Sequence, residues 1–120
     1  MKAILVTVAI MIALTSSAFA TITLVRLEGS SIVMEATGAE SADLVWQVKE
    51  ARYANRDTTS GIIFWNRETV STPSAGLFKI NVDLSKAKYG EEYCVTVVNH
   101  TDGTMYRLYA TISNGMFVAR

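Results

Sequence analysis

The sequence predicts an all-β fold, a small antiparallel β-sandwich of about seven strands, on three observations. Residues 91–120 contain three apolar or β-branched runs, separated by the turn pairs Asp102-Gly103 and Asn114-Gly115. Asn-Gly best tolerates the two positive φ angles of a type I′ hairpin turn. Within residues 77–84, the apolar Phe78, Ile80, Val82 and Leu84 alternate with the polar Lys79, Asn81 and Asp83. Turn signals also recur at the short, regular spacing that is typical of sandwiches.

Residues 1–20 have the pattern of a secretory signal peptide. Lys2 supplies a positive charge, Ala3 to Leu14 is an almost unbroken apolar run, and Ala18 to Ala20 is a small-x-small cleavage triplet. The apolar run is shorter than the roughly 20 residues that a helix needs to cross a bilayer, so a membrane anchor is the weaker interpretation. We expect one domain, residues 21–120, that is secreted to an extracellular or periplasmic location and is not inserted in a membrane after cleavage.

The charge balance and the cysteine count narrow the class of protein. The chain has 11 Lys and Arg against 11 Asp and Glu, so losing Lys2 with the signal peptide leaves a net charge of −1. Such a domain lacks the excess of positive charge that is typical of proteins that bind nucleic acid. Cys94 is the one cysteine. An internal disulfide is therefore impossible, and packing must stabilise the domain.

The strands are predicted from alternation and from the turns between them. They cover residues 21–27, 31–36, 44–49, 62–65, 77–84, 91–99, 104–113 and 116–120. Polar loops are expected around Gly38 and over residues 56–61, and a turn is expected around Pro73. The predicted core includes Phe78, Ile80, Val82, Tyr93, Val95 and Val97.

Residues 42–55 fit two periods. Alternation places Leu44, Trp46 and Val48 on one strand face, whereas helical spacing groups Leu44, Val48 and Ala51 behind a Ser41 N-cap. The β character of the other segments favours a strand over residues 44–49.

Four large apolar residues in a row, Ile62 to Trp65, indicate a strand with hydrophobic side chains on both faces. The pleat is expected to send Ile62 and Phe64 one way and Ile63 and Trp65 the other. Only one pair can enter a two-layer core, so the other is covered by a loop of the same chain or forms a contact surface. The strand 116–120 offers an unpaired edge. The predicted contact residues are Ile63, Trp65, Tyr109, Met116 and Phe117.

Residues 84–97 carry a family resemblance. Leu84 precedes a turn and the strand Tyr93-x-Val95-x-Val97, which resembles the segment leading into the sixth strand of fibronectin type III and other immunoglobulin-like domains. Trp46 sits where such domains often keep a core tryptophan. The link from Leu84 to Tyr93 is longer than is usual in the family, and there is no disulfide pair. The resemblance implies an immunoglobulin-like sandwich and implies nothing about activity.

No catalytic, cofactor or metal site is predicted, and we expect the protein not to be an enzyme. His100, the one histidine, lies in a predicted loop. Cys94 faces away from the predicted core, and a covered thiol is favoured over an intermolecular disulfide. Residues 99–101 match the N-glycosylation sequon on a turn. Glu91 and Glu92 are neighbours in a strand and point to opposite faces.

These residues favour a non-enzymatic structural or interaction module, such as a subunit of a surface appendage or fibre, or an adhesion domain. It would act by strand-edge or apolar-face association with another protein or another copy of itself. The alternative is a module that binds carbohydrate or peptide through exposed aromatics, for which the candidates are Tyr53, Trp65, Tyr89 and Tyr109. A small exported enzyme or inhibitor fits least well.

The signal peptide gives the first testable prediction. The intact mass of the exported protein should correspond to a chain that begins at Thr21, because the small residues at Ala18 and Ala20 favour cleavage after Ala20. A mass that retains residues 1–20 would contradict export by this route.

Overall fold

The computed structural model describes residues 21–37, 41–71 and 75–119, and the described chain forms eight strands and one short 3₁₀ helix. The strands are β1 (Thr21–Glu28), β2 (Ser31–Thr37), β3 (Ser41–Glu50), β4 (Ile62–Ser71), β5 (Ala75–Asn81), β6 (Glu92–Asn99), β7 (Thr104–Ser113) and β8 (Met116–Ala119). The 3₁₀ helix is Ala51–Tyr53. The predicted signal peptide, the loop around Gly38 and the turn around Pro73 lie outside the described residues.

Two antiparallel sheets enclose one core. The three-stranded sheet has the order β1-β2-β5, and the five-stranded sheet has the order β4-β3-β6-β7-β8. Buried side chains from both sheets belong to a single cluster, which includes Ile22, Met34, Leu44, Trp46, Val48, Tyr93, Val95 and Val97. The predicted all-β fold of two antiparallel layers is confirmed, with eight strands among the described residues. Val82, Tyr93, Val95 and Val97 are buried as predicted, and Phe78 and Ile80 pack half-buried against the same cluster.

The turn between β7 and β8 forms as the sequence predicts. Asn114 has φ of 55° and Gly115 has φ of 71°, and Ser113 pairs directly with Met116 across the two-residue loop. Two positive φ angles match the right-handed twist of the strands that the turn joins.

Residues 44–49 form a strand, and the helical alternative is wrong. β3 runs from Ser41 to Glu50 and lies between β4 and β6. Its alternation buries Leu44, Trp46 and Val48. Pairing on both edges outweighs the helical propensity of its last residues, and helical backbone begins only at Ala51.

β4 and β5 differ from their predicted bounds. β4 continues to Ser71 because its second half pairs with β3 at the edge of the sheet, where polar side chains are tolerated. β5 ends at Asn81, earlier than predicted. Val82 nonetheless stays buried, and its amide donates to the Ser30 carbonyl oxygen at 2.8 Å.

The predicted pleat phase of Ile62 to Trp65 is wrong because β4 contains a β-bulge. Val48 pairs with Phe64 whereas Lys49 pairs with Ile62, so Ile63 is an extra residue in β4. Ile63 and Phe64 both pack against the core. Ile62 lines the same hollow as Trp65 on the opposite face of the sheet.

The core predicts a large effect for Val82→Asp. Val82 is 5% exposed and packs in the cluster that both sheets share. A carboxylate there loses its water without gaining a cation, and the cost of several kcal/mol is a large part of the roughly 5 to 15 kcal/mol by which a domain is stable. The measurement is the denaturant midpoint, with the exposed Val25→Asp as the matched control. Equal shifts for the two variants would contradict this assignment of the core.

Candidate interaction surface

The side of the five-stranded sheet that points away from the core carries most of the exposed large hydrophobic side chains of the described residues. Because β6 sends Tyr93, Val95 and Val97 into the core, the residues between them, and their neighbours on the other strands, face outward. We call this surface the outer face. Of the eight exposed large hydrophobic side chains, five lie on it: Trp65, Met105, Tyr109, Met116 and Val118.

Residues 51–61, here termed the covering loop, fold back over the middle of the outer face. Their ends meet because the Glu50 amide donates to the Gly61 carbonyl oxygen at 2.8 Å. Gly61 has φ of +78°, and a Cβ at this position would lie 2.5 Å from Tyr53 Cδ2. Glycine is therefore required where the loop closes. A compact loop with joined ends is an Ω-loop, a type that frequently carries function.

Two cationic side chains rise from the sheet and hold the covering loop. Lys49 Nζ on β3 is buried and donates to the carbonyl oxygens of Arg56 and Thr58, both at 2.8 Å. On β7, Arg107 Nη1 donates to Asn55 Oδ1 at 3.0 Å. These bonds tie the loop to both sides of β6, so it is a fixed part of the surface.

The covering loop is also braced internally. The guanidinium carbons of Arg52 and Arg56 lie 5.0 Å and 5.6 Å from the centre of the Tyr53 ring, within the range of cation–π contacts. Arg52 Nη2 donates to Glu50 Oε1 at 2.9 Å, and this hydrogen bond is the main cause that raises the pKa of Arg52. Tyr53 is thus held between two cations at the base of the loop.

The loop and the sheet enclose a cleft of about 420 Å³. Its lining comes from β3, β6, β7 and the loop: Val45, Gln47, Lys49, Asn55, Arg56, Asp57, Thr58, Thr96, Val98, Met105 and Arg107. A second hollow of about 620 Å³ lies beside Trp65, where the indole borders Gln47, Asp57, Thr58 and Thr59. The β4 side of the outer face therefore offers both apolar and hydrogen-bonding side chains.

An ion pair fixes Arg67 beside Trp65 on the outer face. Arg67 Nη2 donates to Asp43 Oδ2 at 2.8 Å, and Nε donates to Asp43 Oδ1 at 3.3 Å. These hydrogen bonds lower the pKa of Asp43 and raise that of Arg67. The pair is therefore intact at neutral pH and is lost only as the pH falls through the lowered pKa of Asp43. Both groups are exposed, so the pair orients Arg67 and adds little stability.

The predicted contact residues do not form one patch. Trp65, Tyr109 and Met116 are exposed on the outer face, and Trp65 has 56% of its surface free. Phe117 pairs with Ile112 and is buried in the core, and Ile63 packs against the core at the bulge. Neither side chain is available for contact on the outer face, so the prediction is corrected for these two residues.

The prediction also missed two exposed residues of the outer face. Met105 and Val118 are 55% and 46% exposed. The position of Val118 could have been predicted from the register of the β7–β8 hairpin. The Asn114-Gly115 turn places Val118 opposite Thr111, on the same face as Tyr109 and Met105.

The aromatic candidates also separate in space. Tyr53 is half-buried within the covering loop. Tyr89 is 93% exposed, but it lies in the link before β6 and lines a hollow next to the β7–β8 turn. Trp65 therefore does not form a single platform with either of them.

Three residues singled out in the sequence have defined surroundings. Cys94 is 1% exposed and lies outside the core cluster, which confirms a covered thiol. His100 is exposed in the turn after β6, as predicted. Asn99 is 1% exposed, and its Oδ1 accepts a hydrogen bond from the Thr101 amide at 2.9 Å. The sequon asparagine therefore stabilises the turn, and its amide is inaccessible to a glycosylating enzyme in the folded domain.

Within residues 21–37, 41–71 and 75–119, no group of three or more His, Cys, Asp or Glu side chains is arranged to hold a metal ion. The same residues contain no helix with the length and apolar character that a bilayer span requires. Comparison of the chain with protein-family models, with curated proteins and with solved structures found no match. The function must therefore be inferred from the residues themselves.

The anchoring of the covering loop gives a prediction for Lys49→Met. The variant keeps the aliphatic bulk but leaves two carbonyl oxygens without their charged donor, which weakens the closed loop by about 2 kcal/mol. Trypsin should then cleave after Arg52 and Arg56 roughly 30-fold faster, because local opening exposes the chain to the protease. The exposed Lys88→Met is the control. Unchanged cleavage in the Lys49 variant would show that the ammonium group does not hold the loop.

Proposed function

We propose that this protein is an exported, non-enzymatic interaction module with an immunoglobulin-like sandwich, and that it acts by association through the outer face. The partner is another protein or a second copy of the chain, as in a surface appendage or an adhesion domain. The observation that carries the proposal is the concentration of exposed apolar side chains on this one face.

The strand order supports the immunoglobulin-like part of the proposal. Immunoglobulin constant-type domains place their first, second and fifth strands in one sheet and their third, sixth and seventh strands in the other. The same strands are separated in the same way here, while β4 joins the larger sheet and β8 is added at its far edge.

Two buried aromatic residues support it further. Trp46 is 2% exposed on β3, the position of the core tryptophan in such domains. Tyr93 is buried at the start of β6, and its hydroxyl oxygen accepts a hydrogen bond from the Lys88 amide at 2.8 Å. A tyrosine that bonds back to the preceding link at this corner is a hallmark of the class.

The composition of the outer face suits a protein partner. A face on which several large apolar side chains are exposed often marks a site of interaction with another protein. Trp, Tyr, Met and Arg are the residue types enriched in protein interfaces, and Trp65, Arg67, Met105 and Tyr109 supply all four on this face. The covering loop is already tied down, so little conformational entropy is lost when a partner binds.

Enzymatic chemistry is not part of the proposal. His100 and Cys94 lie near opposite ends of β6, about 20 Å apart at a rise of roughly 3.3 Å per residue. The thiol is also buried, and the imidazole is exposed in a turn. This spacing prevents the two groups from acting as a nucleophile and its base.

Carbohydrate is the second candidate ligand, and the hollow beside Trp65 is the observation that favours it. The flat face of a sugar ring can stack on an exposed indole while its hydroxyl groups bond to neighbouring polar side chains. Gln47, Asp57 and Thr58 border Trp65 in this way.

The proposal predicts that Trp65→Ser weakens association of the domain. Truncation of a central interface tryptophan costs about 2 kcal/mol or more, so the dissociation constant should rise at least about 30-fold. Sedimentation of residues 21–120 over a wide concentration range measures self-association directly. The control is Tyr89→Ser, which removes an aromatic side chain that is 93% exposed outside the outer face.

A wild-type domain that stays monomeric would exclude self-association through the outer face. Titration of defined glycans, followed by Trp65 fluorescence, then tests the carbohydrate alternative. A domain that stays monomeric, binds no glycan and retains no protein partner in a pull-down through residues 21–120 would contradict both.

A further inference from the structure

β3 lies between β4 and β6, and the backbone groups of its successive residues bond alternately to one of these strands and to the other. The His100 amide donates to the Asp43 carbonyl oxygen, so the odd-numbered residues of β3 face β6. The Glu50 amide donates to the Gly61 carbonyl oxygen, so the even-numbered residues face the β4 side. Even-numbered residues of β3 pair with even-numbered residues of β4 up to the bulge. The backbone N–H and C=O groups of three β4 residues therefore point away from the sheet, at Trp65, Arg67 and Thr69.

β4 is the most open of the strand edges in the described chain. β8 has only four residues, and the Phe117 amide on its outer edge already donates to the Gly29 carbonyl oxygen at 2.7 Å. β1 is interrupted by a bulge between Leu24 and Arg26, and β5 is shorter, with seven residues. β4 runs for ten residues, and its bulge lies at one end.

The side chains of β4 are complementary to themselves about Arg67. When two copies of the strand are placed antiparallel with Arg67 at the two-fold axis, Asn66 lies opposite Glu68 of the partner subunit. An amide can donate to a carboxylate at that distance, and the symmetry repeats the bond. Phe64 lies opposite the partner's Val70, and both residues are only half-buried in the single chain. This register also overlaps the whole strand beyond the bulge.

The outer face tolerates the same register. Trp65 lies opposite the partner's Thr69, which leaves room for the indole. The two Arg67 side chains meet near the axis, and each carries its own counter-charge because Asp43 accepts two hydrogen bonds from it. Four alternating charges then surround the axis in place of two unpaired cations.

From these observations we propose that β4 pairs antiparallel with β4 of a second copy, centred on Arg67, and joins two five-stranded sheets into one ten-stranded sheet. This inference rests on the proposed interaction function and identifies the partner as the chain itself. The two outer faces become continuous, with both Trp65 side chains near the join.

Thr69→Pro tests whether the outer edge of β4 forms the dimer contact. Proline removes an N–H that points away from β3 and that no strand among the described residues uses, so the fold is retained, while two symmetric bonds of the dimer are lost. The dimer dissociation constant should rise by at least about tenfold in sedimentation equilibrium. Lys79→Pro makes the same change on the β5 edge and should leave the dimer intact.

Arg67→Cys tests the register and does not depend on how well a proline variant folds. Directly opposed residues of a hydrogen-bonded antiparallel pair have Cα atoms about 5.5 Å apart, within the range that a disulfide bridges. Arg67→Cys should therefore form a covalent dimer under mild oxidation. Thr69→Cys should not, because the two copies of residue 69 would lie about 13 Å apart along the strands.

A monomeric wild type, or equal cross-linking of the two cysteine variants, would overturn the β4 pairing. Loss of partner or glycan binding in Trp65→Ser with no effect of Thr69→Pro would also overturn it, while the outer-face function would stand. Association that neither Trp65→Ser nor Thr69→Pro affects would count against both.

Discussion

The direction of the side chain and the direction of the backbone hydrogen bonds both alternate along a strand with a period of two residues, and this coupling determines the layout of the molecule. In β3, the residues that enter the core are the ones that bond to β4, and the residues on the outer face bond to β6. In β4, as in β3, all residues on one face of the sheet direct their backbone hydrogen-bonding groups to the same side. Its residues on the outer face are consequently those with exposed backbone groups, so the apolar face and the open edge belong to one continuous surface.

Burial of Lys49 shows how a polar loop can cover a sheet face. The ammonium group gives up its water, and two carbonyl oxygens of the covering loop replace part of that hydration at 2.8 Å. The loop in turn gains one charged donor for two of its carbonyl oxygens. Lys49 and the loop therefore hold each other in place, while residues 55–60 stay exposed to solvent.

Much of the fold follows from local chemistry that the sequence displays. The Asn114-Gly115 turn and the buried alternation of Leu44, Trp46 and Val48 need no information beyond a few neighbouring residues. The polar half of β4 was missed because an edge strand with one paired side carries no apolar alternation. The bulge at Ile63 was also missed, since a one-residue slip depends on how β3 ends and how the covering loop closes at Gly61. The site is less predictable than the fold because it depends on how the covering loop folds back onto Lys49 and on the contact of Arg107 with Asn55, which is 52 residues away in sequence.

The hydrogen bond from the Phe117 amide to the Gly29 carbonyl oxygen also affects the order in which parts of the molecule can fold. It joins the β1–β2 hairpin to β8, so the side of the molecule where β1 meets β7 and β8 cannot close until β8 has been synthesised. Contacts between residues so distant in sequence form slowly, and the early strands wait with unsatisfied edges. Late closure of this kind therefore keeps the early segments extended while the later strands are still being made.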